Sequence, residues 1–265
     1  MCVVCTQVGL VATCQVVFGL GPSERRASAD GMLVVATPGW ITGQSYMISA
    51  ALLCCQPSVL LEGSPVTPPD RFAFMIAHHK LSILKAGSTF LRMIMTGGLE
   101  SRLASHDLSS LRLGTFCAEP VNEAVHRFAC THLTPNYINS YWATEHGGIV
   151  WSRTHDQPGA IRPDACSWPL SWIDGEVMLA VAASDDGAGG GESGVGAWQR
   201  AEDGVQGDVV IRSRYPYMAL TVWSSEGFGM PSWRGDFARW SRYFTHGAGY
   251  VQGDAAVRHP SGAFR

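Results

Sequence analysis

A short segment at residues 139–148, with the sequence NSYWATEHGG, concentrates the residue types that could do chemistry. Two aromatic residues, Tyr141 and Trp142, precede the hydroxyl of Thr144 and the carboxylate of Glu145, and two glycines follow. Flat rings beside a hydroxyl and a metal-capable carboxylate suit a site for a base and a Mg²⁺-bound phosphate. The glycines allow a ligand to approach the backbone closely. A core aromatic pair followed by a tight turn explains the same residues equally well, so the segment alone leaves both interpretations open.

Other common catalytic signatures are absent from the sequence. It contains no phosphate loop of the G-x-x-x-x-G-K-[ST] type, no G-x-S-x-G elbow and no H-E-x-x-H pair. Cys2 and Cys5 have the spacing of a redox or zinc motif, but no second pair lies nearby, and we expect most of the eight cysteines to be reduced and buried. Lys80 and Lys85 are the two lysines of the sequence, so chemistry that needs a lysine has two candidates.

The composition indicates a globular protein with a sizeable core. Of 265 residues, 46% are apolar and 15% are charged, which excludes a disordered chain. The formal net charge of −3 favours neither nucleic acid nor an anionic membrane as a partner. Residues 1–20 carry no charge, yet they lack a basic leading region and are interrupted by polar residues, so they make a poor targeting or membrane segment. We therefore expect a cytoplasmic protein and leave an organelle open as the alternative.

Residues 33–148 predict an α/β fold with parallel-sheet layers and helices on both faces. Short apolar runs alternate with amphipathic stretches, and the joins between them are short. The predicted strands are 58–61, 81–84, 111–116 and 137–142; the predicted helices are 70–79, 89–95 with Ser88 as N-cap, and a helix that starts at Pro120 and reaches about residue 131. Such sheets bind ligands at the carboxyl ends of their strands, which draws attention to residues 116–120 and 141–148.

Residues 149–265 predict a β-rich subdomain. Runs at 149–151, 176–181 and 207–213 are strand-like, residues 236–244 favour a short helix, and a strand at 250–252 closes at Gly253 and Asp254. The glycine-rich segment 185–196 predicts a flexible surface loop. Residues 1–32 remain unassigned, so the predicted organisation is 1–32, 33–148 and 149–265.

Six segments together resemble one family. Residues 139–148 resemble the Y/W-W-x-T-E-x-G-G signature of adenylate-forming acyl-CoA synthetases, in the acetyl- and propionyl-CoA synthetase branch. Five further segments resemble motifs of this family in the same order: 39–46 (G-W-x-T-G-H-S-Y, with Gln44 for His), 60–63 (F-E-G), 107–112 (D-L-S-S-L-R), 118–120 (G-E-P, with Ala118 for Gly) and 250–254 (Y-x-T-G-D, with Gln252 for Thr). The resemblance covers roughly residues 34–265 and implies part of the large N-terminal domain of such an enzyme.

The resemblance also implies roles for individual residues. Adenine would lie between Tyr141 and the Glu119–Pro120 segment, and Asp254 would accept hydrogen bonds from both ribose hydroxyls, since one carboxylate can take two donors. The full nucleotide-binding set is Ala118, Glu119, Pro120, Tyr141, Trp142, Thr144 and Asp254. Thr144 would bond the α-phosphate and Glu145 would hold Mg²⁺, as the catalytic pair. Ile41, Thr42, Cys117 and Trp142 would form a short acyl pocket, with Thr42 also contacting CoA.

The activity that the resemblance implies is AMP-forming acyl-CoA synthesis. A short-chain carboxylate such as acetate or propionate, ATP and CoA would give acyl-CoA, AMP and pyrophosphate, with Mg²⁺ as cofactor; small molecules are the expected partners, and the oligomeric state is left open. No residues resemble the family's phosphate loop upstream of Trp40, nor its hinge and lysine-bearing C-terminal domain after Asp254. We therefore expect an incomplete core, truncated before the hinge. The alternative is a non-catalytic adenylate-binding module or a decayed fragment.

The 265-residue chain alone is accordingly expected to show no acyl-CoA synthesis. Groups that act mainly in the transition state typically contribute about 10²–10³-fold each, so the absence of two such elements leaves no measurable rate. The measurement is AMP release from ATP and CoA in the presence of acetate or propionate. Carboxylate-dependent AMP release by the purified chain would contradict the expectation.

Overall fold

The computed structural model describes residues 3–21, 30–157, 161–162, 167–182, 195–245 and 247–265. Within these residues the strands form three sheets of seven, five and two strands. The predicted loop at 185–196 lies outside the described residues, except for the two residues that begin a strand at Val195. The same applies to Cys2 of the Cys2–Cys5 pair.

The seven-stranded sheet is mostly parallel. Its strands are β2 (Met32–Val35), β3 (Ser58–Val59), β4 (Ile83–Ala86), β5 (Leu113–Phe116), β6 (Tyr137–Tyr141), β7 (Trp151–Ser152) and β8 (Trp168–Pro169). The order is β3-β2-β4-β5-β6-β7-β8; the first five strands are parallel neighbours, while β7 and β8 are antiparallel additions. The sheet therefore continues across residue 148, because β7 and β8 pair beside β6.

Helices cover both faces of this sheet. On one face lie α1 (Val8–Phe18) and a helical segment that runs as a π-helix over Gly43–Ser49 and continues as α2 (Ala50–Leu53); on the other lie α3 (Arg71–His79), α4 (Ser88–Thr96), α5 (Glu100–Leu103) and α6 (Glu123–His132). Alternation along the strands explains the two layers, since successive side chains point to opposite faces. In β2, Met32 and Val34 pack with the first cluster and Leu33 packs with the second.

The β-rich part is antiparallel. Five strands, β9 (Gly175–Ala182), β10 (Val195–Arg200), β11 (Gln206–Ile211), β13 (Phe244–Thr245) and β14 (Gly249–Val257), form a sheet in the order β10-β9-β11-β14-β13. Two short strands, β1 (Val3–Val4) and β12 (Thr221–Val222), pair with each other, and α7 spans Phe237–Ser241. The predicted fold class, parallel-sheet α/β layers followed by a β-rich part, is confirmed.

Two helix starts differ from the sequence prediction. The helix expected from Pro120 begins instead at Glu123, because the Asn122 side chain caps it by accepting a hydrogen bond from the Val125 N–H at 2.9 Å. Ser88 is the first residue of α4 rather than its N-cap, which is Gly87. The Ser88 hydroxyl is used elsewhere, since it donates to Glu119 Oε2 at 2.6 Å.

The apolar N-terminal stretch is part of the fold. Helix α1 buries Cys14, Val17 and Phe18 completely in the core on the first face of the seven-stranded sheet. None of the helices within the described residues has the length and apolar character needed to cross a membrane.

A lysine side chain lies in the middle of the parallel sheet. Lys85 on β4 is 1% exposed, and its Nζ donates to Ser140 Oγ on β6 at 2.9 Å. Nζ also lies 4.5 Å from the ring centroid of Tyr46 and 5.6 Å from that of Phe18. Ser140 Oγ is within 2.6 Å of Thr115 Oγ1 on β5, so one hydroxyl links three strands.

Replacing the Ser140 hydroxyl should destabilise the protein more than replacing the hydroxyl of an exposed serine. Ser140→Ala leaves a buried donor without its partner, and we expect the free energy of unfolding to fall by about 1–3 kcal/mol. The matched control is Ser105→Ala, whose exposed hydroxyl bonds only locally to the Arg102 carbonyl; its effect should stay within about 0.5 kcal/mol. Denaturant unfolding of both variants measures the difference, and equal effects would show that Ser140 does not support Lys85.

Candidate functional site

The NSYWATEHGG segment forms a tight turn at the carboxyl end of β6. The strand ends at Tyr141, one residue earlier than predicted, and residues Thr144–His146 make a single 3₁₀ turn. A hydrogen bond within the turn stabilises it: the Ala143 N–H donates to Nδ1 of the buried His146 ring at 2.9 Å. A second hydrogen bond joins the turn to a distant segment, since the Ala219 N–H donates to the Glu145 carbonyl at 3.0 Å. The predicted core-turn interpretation therefore holds for the backbone.

Gly147 is required at the end of this turn for two reasons. Its φ is +70°, a conformation that L side chains rarely adopt, and a Cβ there would lie 2.0 Å from the Tyr217 carbonyl oxygen. The close approach joins the signature turn to the segment just before β12. Tyr215 adds a hydrogen bond from its hydroxyl to the His146 carbonyl at 3.0 Å.

The carboxylate of Glu145 is buried and hydrogen-bonded. Glu145 is only 5% exposed, and its Oε1 accepts a hydrogen bond from the Tyr243 hydroxyl at 3.0 Å. Burial raises the pKa of Tyr243, and the bond to Glu145 raises it further. The Cys5 thiol donates a hydrogen bond to the Thr144 carbonyl at 3.7 Å, and burial raises the pKa of Cys5 to about 11. The structure thus holds one carboxylate beside two neutral donors.

Tyr141 and Asp254 meet across the two main sheets. The Tyr141 hydroxyl donates to Asp254 Oδ2 at 2.6 Å, although the two residues are 113 positions apart. Burial raises the pKa of Tyr141, and its bond to Asp254 adds to the increase. Both residues line a small pocket of about 80 Å³ together with Asn139, Trp151 and Phe264, which we call the Tyr141 pocket.

A bulge in β14 places Asp254 at this position. The strand was predicted to close at Gly253 and Asp254, but it continues to Val257. Its pairing with β11 shifts register between Asp208 and Val210, and Gly253 has a φ of +96°. A bulge re-aims the side chains it contains, so Asp254 is exposed and directed to Tyr141 while the strand remains paired on both sides.

A second pocket lies at the carboxyl ends of β2, β4 and β5. It has a volume of about 380 Å³ and is lined by four of the predicted site residues, Thr42, Cys117, Ala118 and Glu119. Its other lining residues include Trp40, which belongs to the 39–46 motif, and Phe90 and Met93, which sequence reasoning did not single out. We call it the Cys117 pocket. Its walls are largely apolar, and Trp40 is 67% exposed at its edge.

Glu119 is anchored to the start of α4. Its Oε2 accepts hydrogen bonds from Ser88 Oγ at 2.6 Å and Thr89 Oγ1 at 2.9 Å. These hydroxyls, Ser88 first, lower the pKa of Glu119, and the nearby Arg92 lowers it further. Arg92 also donates to the Pro120 carbonyl at 3.2 Å. The side chain of Glu119 is therefore an ionised carboxylate with a defined orientation at the end of β5.

Five predicted site residues, including Glu145 described above, lie outside the linings of both pockets. Trp142 is 8% exposed and packs edge-to-face against Tyr46, with ring centroids 5.1 Å apart, in the same buried cluster as Cys117. Ile41 is 43% exposed, and Pro120 is exposed next to Glu119. Thr144 lies in the signature turn and is half-buried. The site residues thus gather along one edge of the parallel sheet, where they are divided between two pockets and the core below.

The structure adds residues that no sequence signal identified. Tyr243 lies 98 positions from Glu145 and belongs to no motif, so its bond to that carboxylate could be seen only after folding. Phe90 and Met93 come from an amphipathic helix whose pattern predicts burial but not a pocket wall.

Comparison with known proteins assigns the chain to a family. Residues 2–218 match the sequence model of the family described as AMP-binding enzyme, so the chain belongs to the AMP-binding enzyme family. The match begins well before the first recognised motif at residue 39, which agrees with the packing of α1 into the core. It ends before β14, the strand that carries Asp254.

Curated proteins related to this chain include acetyl-coenzyme A synthetases. That of Caulobacter vibrioides is 30% identical over 238 residues, which cover 86% of this chain and 32% of the relative. That of Chlorobaculum tepidum is 31% identical over 242 residues, covering 88% of this chain and 32% of the relative. The chain therefore spans about a third of the length of the curated relatives it matches.

A solved structure agrees with the fold. The crystal structure of the Brucella canis acyl-CoA synthetase matches with a TM-score of 0.66 at 20% sequence identity, over 97% of this chain and 40% of that chain. At this identity the likeness concerns the fold alone. It is consistent with the sheet order and the β-rich part described above.

Ala118 stands where the family motif has glycine, and this difference should affect the stability of the folded protein. Its φ is +74°, a left-handed conformation that costs a non-glycine residue about 1–2 kcal/mol. We expect Ala118→Gly to raise the free energy of unfolding by about 0.5–1 kcal/mol, after the larger backbone entropy of glycine in the unfolded chain is subtracted. The control Ala104→Gly, at an exposed site with a φ of −64°, should be slightly destabilising. Destabilisation by both changes would contradict the strained conformation.

His146 should make stability depend on acid pH. Burial lowers its pKa from 6.5 to about 3 in the folded protein. Between these values the unfolded chain binds a proton that the folded chain does not, so stability falls as the pH drops, by up to about 1.4 kcal/mol per pH unit from this group. His146→Asn, whose amide oxygen can accept from the Ala143 N–H, should flatten this slope between pH 6.5 and 4. The exposed His79→Asn should leave it unchanged in denaturant unfolding, and an unchanged slope in both variants would contradict a buried neutral imidazole.

Proposed function

We propose that this chain forms the adenylate- and acyl-binding core of an AMP-forming acyl-CoA synthetase. The proposed reaction joins a short-chain carboxylate such as acetate or propionate to CoA at the expense of ATP, releasing AMP and pyrophosphate. The observation that carries the proposal is the meeting of Tyr141 and Asp254 at 2.6 Å, from two motifs 113 positions apart. Family membership and the acetyl-coenzyme A synthetase relatives support the reaction class.

The nucleoside would be held between the carboxyl ends of β5 and β6 and the bulge of β14 in the other sheet. The Tyr141 ring offers a flat face for adenine, with Glu119 and Pro120 at the end of the neighbouring strand β5 as the opposite wall. Asp254 would accept both ribose hydroxyls, and Tyr141 would release its bond to Asp254 when they bind. Ala118 would bring its backbone close to the base, since its left-handed conformation turns the chain there.

The phosphate end of the site would lie at the signature turn. Thr144 offers a hydroxyl to the α-phosphate, and the backbone turn holds it against the end of β6. Mg²⁺ is usually held by one or two protein carboxylates together with substrate phosphates. Glu145 would supply one such carboxylate. The residues fit the ion to that extent; when bound it would offset phosphate charge. Tyr243 orients the Glu145 carboxylate through its hydrogen bond.

The acyl group and CoA would use the Cys117 pocket. Thr42 and Cys117 lie on its wall, and Thr42 would also contact CoA. Trp142 packs in the core with Cys117, which supports a role in closing the inner end of the acyl site, with Ile41 contributing from the segment before Thr42. An apolar enclosure of this kind binds short alkyl groups by removing their surface from water.

A second candidate function is adenylate binding without turnover. It is favoured by the position of the two lysines: Lys85 is buried in the sheet, and Lys80 pairs with Asp107 at 2.8 Å on the surface. Neither lines the Tyr141 pocket or the Cys117 pocket. Within this sequence, the groups that recognise an adenylate are thus better represented than those that would form one.

Binding of a non-hydrolysable acyl-adenylate analogue tests the site. Asp254→Ala should weaken binding by about 5–150-fold, because the bound ribose hydroxyls lose their acceptor. Tyr141→Phe should keep or improve affinity, since the ring remains and Asp254 is released, whereas Tyr141→Ala should lose about 1–3 kcal/mol of stacking. Isothermal titration calorimetry measures all three.

The matched control for this experiment is Asp208→Ala. Asp208 lies opposite Ala255 on the neighbouring strand β11, so it tests the effect of removing a carboxylate beside the site. Its affinity should equal that of the unsubstituted chain. Equal affinities for Asp254→Ala and Asp208→Ala would overturn the assignment of the ribose site.

A further inference from the structure

An apolar patch that the proposed function does not use lies on the β-rich part. Within residues 220–237, five large apolar side chains are between 42% and 63% exposed: Leu220, Trp223, Phe228, Met230 and Phe237. The segment also has a core-facing side, since Val222 within it and Trp240 just after it are buried. Exposed apolar side chains in such number are typical of a surface that contacts a protein or a membrane. We call these five residues the apolar patch.

A closed loop presents the tip of the patch. Residues 223–235 leave β12 and return to it, because an isolated antiparallel bridge pairs Val222 with Asp236. The glycines on either side of Phe228 have φ values of +66° and +91°, a conformation that favours glycine. The backbone therefore holds the tip of the loop in a defined turn.

Ring contacts order the side chains of this loop. The rings of Trp223 and Phe228 have centroids 4.5 Å apart, and the ring of Trp233 lies 5.4 Å from each of them. The Trp233 indole N–H donates to the Ser224 carbonyl at 2.9 Å. Because the loop packs on itself, its apolar side chains are ordered before any contact forms, which lowers the entropy cost of binding.

The patch has a cationic rim. Arg234, Arg239 and Arg242 are exposed in and beside it, and the carboxylates of the same segment are Glu226 and Asp236. Asp236 is engaged within the protein, because it caps α7 by accepting a hydrogen bond from the Arg239 N–H at 2.9 Å. The local charge is therefore positive, although the whole chain carries a net charge of −3. The local charge matters more at a contact, since salt screens charges beyond about 10 Å.

We propose that the apolar patch docks this protein, as a peripheral attachment, on an anionic phospholipid bilayer. The apolar side chains would enter the boundary between headgroups and acyl chains, where burial removes them from water. Trp223 suits this depth, because tryptophan is enriched at membrane interfaces. The three arginines of the rim would remain at the surface, where they attract the phosphates of anionic lipids.

Charge decides between a bilayer and a second copy of this chain as the occupant. In a two-fold dimer the same patch would lie on both sides of the interface. The arginine rims of the two copies would then approach each other, and like charges would oppose the contact. Lipid phosphates carry the opposite charge, so the same rim favours the bilayer.

Docking at this patch would place the signature turn close to the lipid surface. The Ala219 N–H, one residue before Leu220, donates to the Glu145 carbonyl at 3.0 Å. The hydroxyl of Tyr243, one residue after Arg242, donates to the Glu145 carboxylate at 3.0 Å. The docking segment is thus joined to the signature turn at both ends, so the position of the docked segment also fixes the position of that turn.

Vesicle binding by the full chain tests the proposal. Sedimentation with phosphatidylcholine vesicles, with and without phosphatidylserine, should show binding that needs the anionic lipid and falls as salt is added. Brominated phosphatidylcholine in the mixed vesicles should quench tryptophan fluorescence on binding, and Trp223→Phe should lose part of that quenching while binding is kept. Absence of binding, or equal binding to both kinds of vesicle, would overturn the proposal.

Matched variants locate the contact on the protein. Phe228→Ser with Met230→Ser should weaken binding to the mixed vesicles by about tenfold or more, because two apolar side chains no longer enter the bilayer. The control, Leu52→Ser with Phe74→Ser, removes two comparably exposed apolar side chains outside the patch and should bind like the unsubstituted chain. The same loss of binding in both double variants would contradict a contact at the patch.

The arginines and the oligomeric state separate the bilayer from a second copy. Arg234→Gln and Arg239→Gln should each weaken binding to the mixed vesicles by about fivefold. Sedimentation velocity without lipid should give the same mass for the unsubstituted chain and the Phe228→Ser, Met230→Ser variant. Self-association that these two substitutions abolish, without vesicle binding, would replace the bilayer by a dimer. If a variant fails to fold, the lipid dependence and quenching of the unsubstituted chain still decide.

Discussion

The parallel pairing of β5 and β6 is the constraint on which the rest of the structure depends. Parallel strands end at the same edge of a sheet, so the pairing of Phe116 with Asn139 places residues 117–120 beside residues 141–145. Every predicted site residue except Ile41, Thr42 and Asp254 comes from these two strand ends. The helices on both faces keep the strands buried, and the site is therefore built on backbone that cannot move independently of the core.

The interior of this sheet is held by polar as well as apolar contacts. Lys85 lies at its centre and bonds to Ser140, one residue before Tyr141. An unpaired amine at such a position would be costly, so the hydroxyl of Ser140 and the rings of Tyr46 and Phe18 stabilise both the charge and the register of β4, β5 and β6. The residue before the candidate base-stacking tyrosine thus has a structural function, and the signature serves the core and the site together.

The β-rich part completes the site from outside. It contributes Asp254 to Tyr141 and Tyr243 to Glu145, in each case through a hydrogen bond between side chains about a hundred positions apart. The bulge in β14 matters here, because a regular strand would alternate its side chains strictly and would not present Asp254 at this angle. The family resemblance assigns Tyr141 and Asp254 to nucleotide binding and Glu145 to metal binding. These hydrogen bonds hold the three side chains in place.

The sequence by itself determined the fold class, the family and the chemistry-bearing residues. Alternating apolar runs predicted the parallel sheet and placed seven of the fourteen described strands (β3, β4, β5, β6, β7, β9 and β11) to within two residues, but they missed β2 and β8 of the main sheet. The motifs at residues 39–46 and 139–148 identified the family because their residue types are set by local turn geometry and ligand chemistry. Tertiary structure decided what depends on contacts between distant segments. It moved the start of α6 to Glu123 because Asn122 caps the helix, extended β14 past Asp254 because the strand pairs on both sides of a bulge, packed the N-terminal helix into the core, and divided the site residues between two pockets with Trp142 buried beneath them. No local pattern encodes the partner of Glu145 or of Lys85, since each partner lies on another element and only packing brings the two together.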